Sequence, residues 1–586
     1  MTDSLLIFTF SPIQSFIAEA RRAEDLYKGS KILSRLAYVA GMEIGQTSLI
    51  YPAKLSPEDT PNVLVAHLLN EVNPKDVADK AEEKMDEVWR GMAKNALDEL
   101  KLDTGLHDNY WETIWTRQTS AFWQVYWAAV PLTPNDYKAT YNLARRTLEA
   151  VKRTRVFNQP DGGEAGEKDS LSGKRQALMI EKVSNIQSNE SPAKAYWRQV
   201  AAMHGITKSK IRPGGRERLD AIAVIKRFAN LGQEAFPSTS TVSTLDYISL
   251  AKSNSNTLKA LHAYRDEIRG QFTGKNEIFE PRKKIDPDWP FDGDLLYTEL
   301  LSVKRLKDDY DVQVTESQLR SCRDKLKNLY ETKIKNEEEL GEPAKYFAII
   351  VLDGDGMGEY INEHCSTEED HKAFSQKIAK FAGKVEDIIV EHHGSLIYNG
   401  GDDVLCMAPL SKAIPLASKL AKEFKSLTPR TASAGIAIVH HQAPLDASLQ
   451  AARDAEHAAK QVEGKAALCV RALKRSGETI EIRSKWEGVN DNIMELVQMF
   501  QEDSLASRMA YDTVRSAYAL PDPGPMFTAE LKRLLSRHRS KDHANAPDPV
   551  AWAERLDKWA EALPKKTEEL GGWLVLARFL SQGGRK

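Results

Sequence analysis

The spacing of apolar and polar positions divides the chain into two stretches that alternate strands with helices and two that are mainly helical. Near the start, residues 5–10 are a short apolar run, LLIFTF, of strand length. Ser11-Pro12-Ile13-Gln14 follows, in which Ser11 is placed to cap a helix, Pro12 suits the first helical position and Gln14 stands where a capping box needs it. Ile13, Phe16, Ile17, Ala20, Leu26 and Tyr27 continue at helical spacing. Strands are expected again at residues 48–51, 62–68 and 122–130, with helices between them, the longest over 76–102. That order predicts a first α+β palm over residues 1–132.

Residues 133–343 read as a mainly helical insertion, interrupted by polar, Gly-rich segments such as QPDGGEAGEKDSLSGKR, with a flexible loop expected over 162–173. At residue 345 the pattern sharpens. YFAIIVL is apolar without interruption, as in a strand buried on both faces, and it stops at Asp353-Gly354-Asp355. Phe374, Ile378, Phe381, Val385 and Ile388 mark an amphipathic helix. Residues 395–398 and 404–407 then flank Gly400-Gly401-Asp402-Asp403 as a hairpin. A helix (414–424), a strand (432–439), a further helix (445–462) and a last strand (466–473) complete the series. Strand, helix, two strands, helix, strand is the ferredoxin-like order, so a second palm is expected over 344–485, and 486–586 reads as a helical C-terminal domain. The expected fold class is α+β: two ferredoxin-like palm domains, diverged copies of one unit, with a helical insertion and a helical tail.

Composition narrows the function. A chain of 586 residues exceeds one core. Its 81 Lys and Arg against 84 Asp and Glu give no global basic field, so any RNA contact must be local or shared with partners. Cys322, Cys365, Cys406 and Cys469 stand far apart with no CxxC pair, against both a zinc knuckle and a disulfide framework. The chain starts MTDSLLIFTFSP, without a signal-peptide pattern, and has no apolar run of membrane-spanning length, so a cytoplasmic protein with no membrane partner is expected.

The ferredoxin-like order lays the first strand of the second palm beside the hairpin, which brings Asp353 to Asp402 and Asp403. Three carboxylates in a poorly hydrated cleft repel one another and push a proton onto one of them unless a divalent cation neutralises them. Hard oxygen ligands with open positions suit magnesium or manganese and nucleotide phosphates. Gly400 and Gly401 allow a tight turn and a close backbone approach. Lys460 is placed to offer a cation to a triphosphate. Each feature has a plainer reading: GGDD makes a good turn, Asp-Gly-Asp ends a strand, and a helical Lys commonly faces solvent. Their convergence at one place in the fold favours chemistry. His392-His393 and His440-His441 are adjacent pairs whose side chains diverge, and read as structural or solvent-facing. His107-Asp108 is isolated, and no GxxxxGK[ST] loop occurs.

LDGDGMG, IYNGGDDVL, TASAGIAIVHH and AAKQVEGKAALCV together resemble the cyclase palm of the large subunit of type III CRISPR effector complexes, the III-B (Cmr) form best. SPIQSFIAEARRAEDLYKGSKILSRL resembles that family's first palm, YWAAVPL its last strand, and ERLDAIAVIKRF with FPSTSTVSTL its middle region. The GGDD element is also related to that of GGDEF diguanylate cyclases. The resemblance implies a metal-dependent nucleotidyltransferase that joins ATP into cyclic oligoadenylates when guide RNA pairs with target RNA, in a complex with other Cmr subunits. It implies that Asp353, Asp402 and Asp403 are catalytic and hold Mg2+ or Mn2+. Gly354, Gly400 and Gly401 would pass close to the phosphates, Lys460 would neutralise leaving charge, and Ser433 would contact nucleotide. A second ATP would sit near Ser11 and Gln14, at a helix N-terminus. The role of Asp355 is open. Two departures stand out: the chain starts at the first palm rather than at an HD nuclease domain, and DSLSG has Asp169 and Ser172 where a zinc knuckle has cysteines. Neither HD-type DNA cleavage nor zinc is therefore expected. The alternative is a catalytically silent scaffold subunit, against which the carboxylate cluster counts, since it costs stability when no metal is bound.

Overall fold

The computed structural model describes residues 2–133, 135–154, 164–203, 210–232, 236–272, 285–310, 312–334, 338–541, 543 and 546–583. These form two compact units, one of Met1–Thr241, Ile248–Glu342 and Gly358–Ala379, the other of Val242–Tyr247, Pro343–Met357 and Lys380–Lys586. Among the described residues no helix is long and apolar enough to cross a membrane.

In the first unit β1 (Ser4–Ser11), β2 (Leu49–Tyr51), β3 (Val63–Leu68) and β4 (Gln124–Pro131) form a sheet in the order β2-β3-β1-β4, with every neighbouring pair antiparallel. This is the expected ferredoxin-like arrangement. β1 is central and covered on both faces, which is why its sequence is apolar without alternation. On one face Leu5, Ile7, Val65 and Ala128 pack with Tyr137, Tyr141, Ala144 and Leu148 of the helix Tyr137–Arg153. That helix lies beyond residue 132 yet belongs to the first sheet's core. Phe10, Phe16, Trp89 and Trp123 meet in ring contacts with centroids 4.9–5.6 Å apart.

The expected start of the first helix is corrected. Ser11 is the last residue of β1 and caps nothing. The helix Gln14–Ala18 has only five residues, its N-cap is Ile13 without a side-chain bond, and the Ser11–Pro12 peptide is cis. A second helix, Ala23–Ile44, begins afresh where the Asp25 carboxylate accepts from the amides of Arg21 (3.3 Å) and Arg22 (3.2 Å). The apolar period runs through this break because both helices bury the same side, while the hydrogen bonds do not. A helix as short as Gln14–Ala18 gives Gln14, which is exposed, little of the amide convergence expected for an anion site.

Among the described residues of 133–343 the named elements are all helical. Gly162 and Gly163, where the loop expectation begins, lie outside the described residues. In DSLSG the Asp169 carboxylate accepts from the amides of Leu171 (2.8 Å) and Ser172 (2.6 Å) and from the Ser172 hydroxyl (2.7 Å). The two positions thus hold each other. Nearby, the helix Ala221–Phe228 is tied to the first helices through buried charges: Arg227 pairs with Asp25 (2.7 Å) and Glu217 (2.6 Å), Arg22 with Glu217 (3.0 Å), and Lys226 donates to the carbonyls of Phe16 and Glu19. Burial alone would raise Glu217, but Arg22 and Arg227 hold its carboxyl down at about 2. Burial lowers the Lys226 amine to about 8.

In the second unit β5 (Tyr346–Gly354), β6 (Ser395–Asn399), β7 (Val404–Pro409), β8 (Ala432–His440), β9 (Ala467–Leu473) and β10 (Thr479–Lys485) are ordered β10-β9-β8-β5-β7-β6. β8-β5-β7-β6 repeats the ferredoxin-like order of the first sheet. β9 joins β8 in parallel across the helix Leu445–Lys460, and β10 pairs back on β9. β10 extends the sheet beyond the expected last strand: its alternation, TIEIRSK, is short and half polar, as suits an edge. The helices expected as a separate C-terminal domain share one core with this sheet. Ile350, Ile436, Val470 and Ile482 belong to the same buried cluster as Ile493, Leu531, Trp559, Trp573 and Phe579. Trp573 donates its indole N–H to the Arg483 carbonyl (3.1 Å), and Phe579 meets Tyr346 edge-on at 5.0 Å.

Candidate active site

β5 and β7 are antiparallel neighbours in register Leu352 with Val404, so Asp353, one step beyond, comes beside the turn that ends in Asp403. The turn closes through the Gly400 amide donating to the Asp403 carbonyl (2.8 Å) and the Gly401 amide donating to the Asn399 side chain (3.3 Å). The two glycines have different reasons. Gly401 takes φ +101°, in the left-handed region. At Gly400 a Cβ would strike the Tyr398 ring. Gly354 is fixed by packing, since a Cβ there would crowd Met357 Sδ (2.9 Å) and Phe424 (3.0 Å).

The site's positive charge comes from the helix Leu445–Lys460. Lys460 forms an ion pair with Asp353 and bridges to Glu456 one turn earlier (2.9 Å). Burial would lower the lysine, but Asp353 and Glu456 hold it well above the usual lysine range. The helix is seated by Gly435 in β8, where a Cβ would fall on the Glu456 amide nitrogen and the Ala452 carbonyl. Glu456 was not singled out from the sequence. Two signals point to it: its i,i+4 spacing to Lys460, and a glycine inside a fully buried strand, which marks a close backbone approach. We expect Gly435→Ala to displace this helix, costing several-fold in protein activity and about 1–3 kcal/mol of stability; unchanged turnover and an unchanged melting curve would show that the helix is not so seated.

Electrostatics single out the hairpin carboxylates. Burial, then the neighbouring Asp353 charge, pushes Asp402 up to about 7, and burial with Asp353, Asp402 and Glu456 pushes Asp403 up to about 8. Asp353 is also raised by burial, against the pull of Lys460. Arg453, two turns before Lys460 on the same helix, feels the Asp403 charge while burial lowers it. Among the described residues no group of three or more His, Cys, Asp or Glu side chains is arranged to hold a metal ion. Two carboxyls raised this far are nonetheless a demand for positive charge, and their hard oxygens suit an ion that takes its other ligands from water and phosphate.

Asp355 and Ser433 serve the frame. Asp355 is buried and accepts from the Thr431 hydroxyl (2.8 Å), the Ser433 hydroxyl (2.8 Å) and the Ala466 amide (3.0 Å), while Arg430 donates to its carbonyl (2.7 Å). Ser433 is fully buried and spends its hydroxyl proton on Asp355, so it is placed to hold the β5 end rather than to face nucleotide. Asp353, Asp402, Asp403, Gly400, Gly401 and Lys460 are brought together. Ser11 and Gln14 belong to the first unit. His440 and His441 are buried and pack ring to ring at 4.7 Å.

A palm whose strand end and hairpin tip present clustered carboxylates is a nucleotidyltransferase-like fold. Residues 346–469 match the model of the Cas10/Cmr2 second palm domain, and residues 5–94 that of the N-terminal part of the CRISPR-associated protein Cmr2. The chain is 26% identical to the CRISPR system Cmr subunit Cmr2 of Pyrococcus furiosus, over 92% of its own length and 70% of the relative's. The fold is similar to chains of the type III-B Cmr-beta complex in its apo state (TM-score 0.66, 13% identity, all of this chain and 82% of the other) and bound to cognate target RNA (TM-score 0.68, 13% identity, all of this chain and 83% of the other). The chain thus carries a Cas10/Cmr2 second palm domain and a Cmr2-type N-terminal segment.

Proposed function

We propose that this chain is the large subunit of a type III CRISPR ribonucleoprotein and makes cyclic oligoadenylate-type second messengers from ATP when target RNA pairs with the guide. The observation that carries the reading is the pair Asp402 and Asp403, crowded beside Asp353 at a hairpin tip where burial and that charge raise both carboxyls. The relatives named for Cmr complexes, one of them with target RNA, support partners of the same kind: other Cmr subunits, guide RNA and target RNA. Asp353, Asp402 and Asp403 would hold Mg2+ or Mn2+, which supplies charge neutralisation at the reacting phosphate. The 3′-hydroxyl of one nucleotide attacks the α-phosphorus of another, the bond to pyrophosphate breaks, and Lys460 faces the charge that leaves. Gly400 and Gly401 let the backbone approach the phosphates.

The test is mass spectrometry of products made from ATP and Mg2+ by the assembled complex with and without target RNA. Cyclic products that require the RNA support the reading; no nucleotide product under any condition leaves the scaffold reading in its place. Lys460→Ala is expected to slow turnover about tenfold or more while leaving RNA binding unchanged, as one of several cations facing a triphosphate.

A further inference from the structure

The hairpin that presents Asp402 and Asp403 is fastened at its other end by a single carboxylate. β6 begins just after His393 and Gly394, and β7 ends just before Ser411. Asp246, in the Val242–Tyr247 stretch that packs with the second unit, reaches both: its Oδ1 lies 2.6 Å from His393 Nδ1, and its Oδ2 accepts from the Ser411 hydroxyl. One side chain therefore spans the two feet of the strand pair.

The backbone at His393 is independent support. The helix Glu368–Glu391 ends with the His393 amide donating to the Val390 carbonyl (2.9 Å) and the Gly394 amide to the Ile389 carbonyl (2.8 Å). His393 there takes φ +54°, the left-handed conformation that a helix end ordinarily gives to glycine. The neighbouring Gly394 is not in that region; a Cβ at Gly394 would press on Ile389 Cγ2 (2.8 Å) and the Met407 carbonyl (3.0 Å). A non-glycine residue in this conformation is strained. Histidine offsets that strain with its bond to Asp246, and glycine could not make the bond. β6 also carries a register shift between Leu396 and Tyr398, so its pairing with β7 alone fixes the hairpin loosely.

We infer that Asp246 is a positioning residue for the hairpin, holding its feet through His393 and Ser411 so that the turn at Gly400 to Asp403 keeps the placement catalysis needs. This rests on the proposed nucleotidyl transfer for its activity readout and on hydrogen exchange for an independent one. A small tilt at the feet is carried to the tip, about 15 Å along a five-residue strand, and sub-ångström misplacement of a reacting group is costly.

The informative variant is His393→Gly, because it removes the clasp while giving the turn its preferred residue. In the assembled complex with target RNA, Asp246→Ala and His393→Gly should each lower kcat for ATP conversion about tenfold with KM changed less than twofold. His393→Gly should leave the melting temperature level or raise it. Amides of residues 395–409 should exchange faster in both full-length variants, whether or not the wild type makes product. Wild-type kcat in both variants, or unchanged exchange over the hairpin, overturns the inference. A wild type that makes no product counts against the proposed function instead, and exchange then decides the clasp alone.

Discussion

Replacing Asp402 and Asp403 with alanine is expected to abolish nucleotide product while complex assembly and target RNA binding persist, and to stabilise the metal-free protein near neutral pH. Both carboxyls are raised in the folded state, to about 7 and about 8, above the ordinary 3.8. The folded state therefore binds more protons than the unfolded state between roughly pH 4 and 8, and stability that is present at low pH is lost as pH rises through the folded values. The alanine variant lacks this loss. Its advantage over wild type should grow from about pH 4 and level off above about pH 8, at about 1–3 kcal/mol after allowing for solvent screening at half-buried side chains. Adding Mg2+ with ATP should stabilise wild type and not the variant. Denaturant melts between pH 5 and 9 measure this directly. A pH-independent difference would mean that the two carboxyls are not crowded, and wild-type product from the variant would reduce the hairpin to a turn.

A second large effect is expected in the first unit. Arg227→Ala should destabilise the first unit by about 3–5 kcal/mol, because it leaves Asp25, whose side chain is 3% exposed, without its paired cation and Glu217, 0% exposed, with Arg22 alone. Arg216→Ala, which breaks a half-exposed pair with Asp308 (2.8 Å), should cost less than about 1 kcal/mol. The signs separate with pH. In wild type Glu217 is held at about 2, so its contribution is present above pH 4.5 and lost as pH falls toward 2. Without Arg227 the two carboxyls rise, so the variant's deficit should shrink as pH falls toward 5. A deficit below 1 kcal/mol at pH 8 would show that water already reaches these charges.

Both palms were legible in the sequence because their central strands are covered on two faces and so appear as unbroken apolar runs, YFAIIVL most clearly. The site was legible for the same reason: strand order alone carries Asp353 to the hairpin. What could not be read depends on contacts that leave no periodic trace. The break after Ala18 is made by one carboxylate, Asp25, satisfying amides that the helix pattern would have used. Ser433 has the side chain a nucleotide contact would have, and only burial beside Asp355 shows that its hydroxyl is spent. Glu456 is an ordinary helical glutamate until Gly435 lets its helix down onto the sheet. The tail looked separate because amphipathic helices give the same pattern whether they pack on one another or on a sheet.

That shared core changes what variation in the tail means. With Trp573 and Phe579 packed against β10 and β5, the last helix belongs to the cooperative unit that presents the carboxylates, so the chain cannot gain or lose tail residues as it would trim a linker. Substitutions there act on how many folded copies a cell keeps, since a loss of 1–2 kcal/mol can change abundance several-fold. Natural sequence change over residues 486–586 would thus act first on the dose of folded protein.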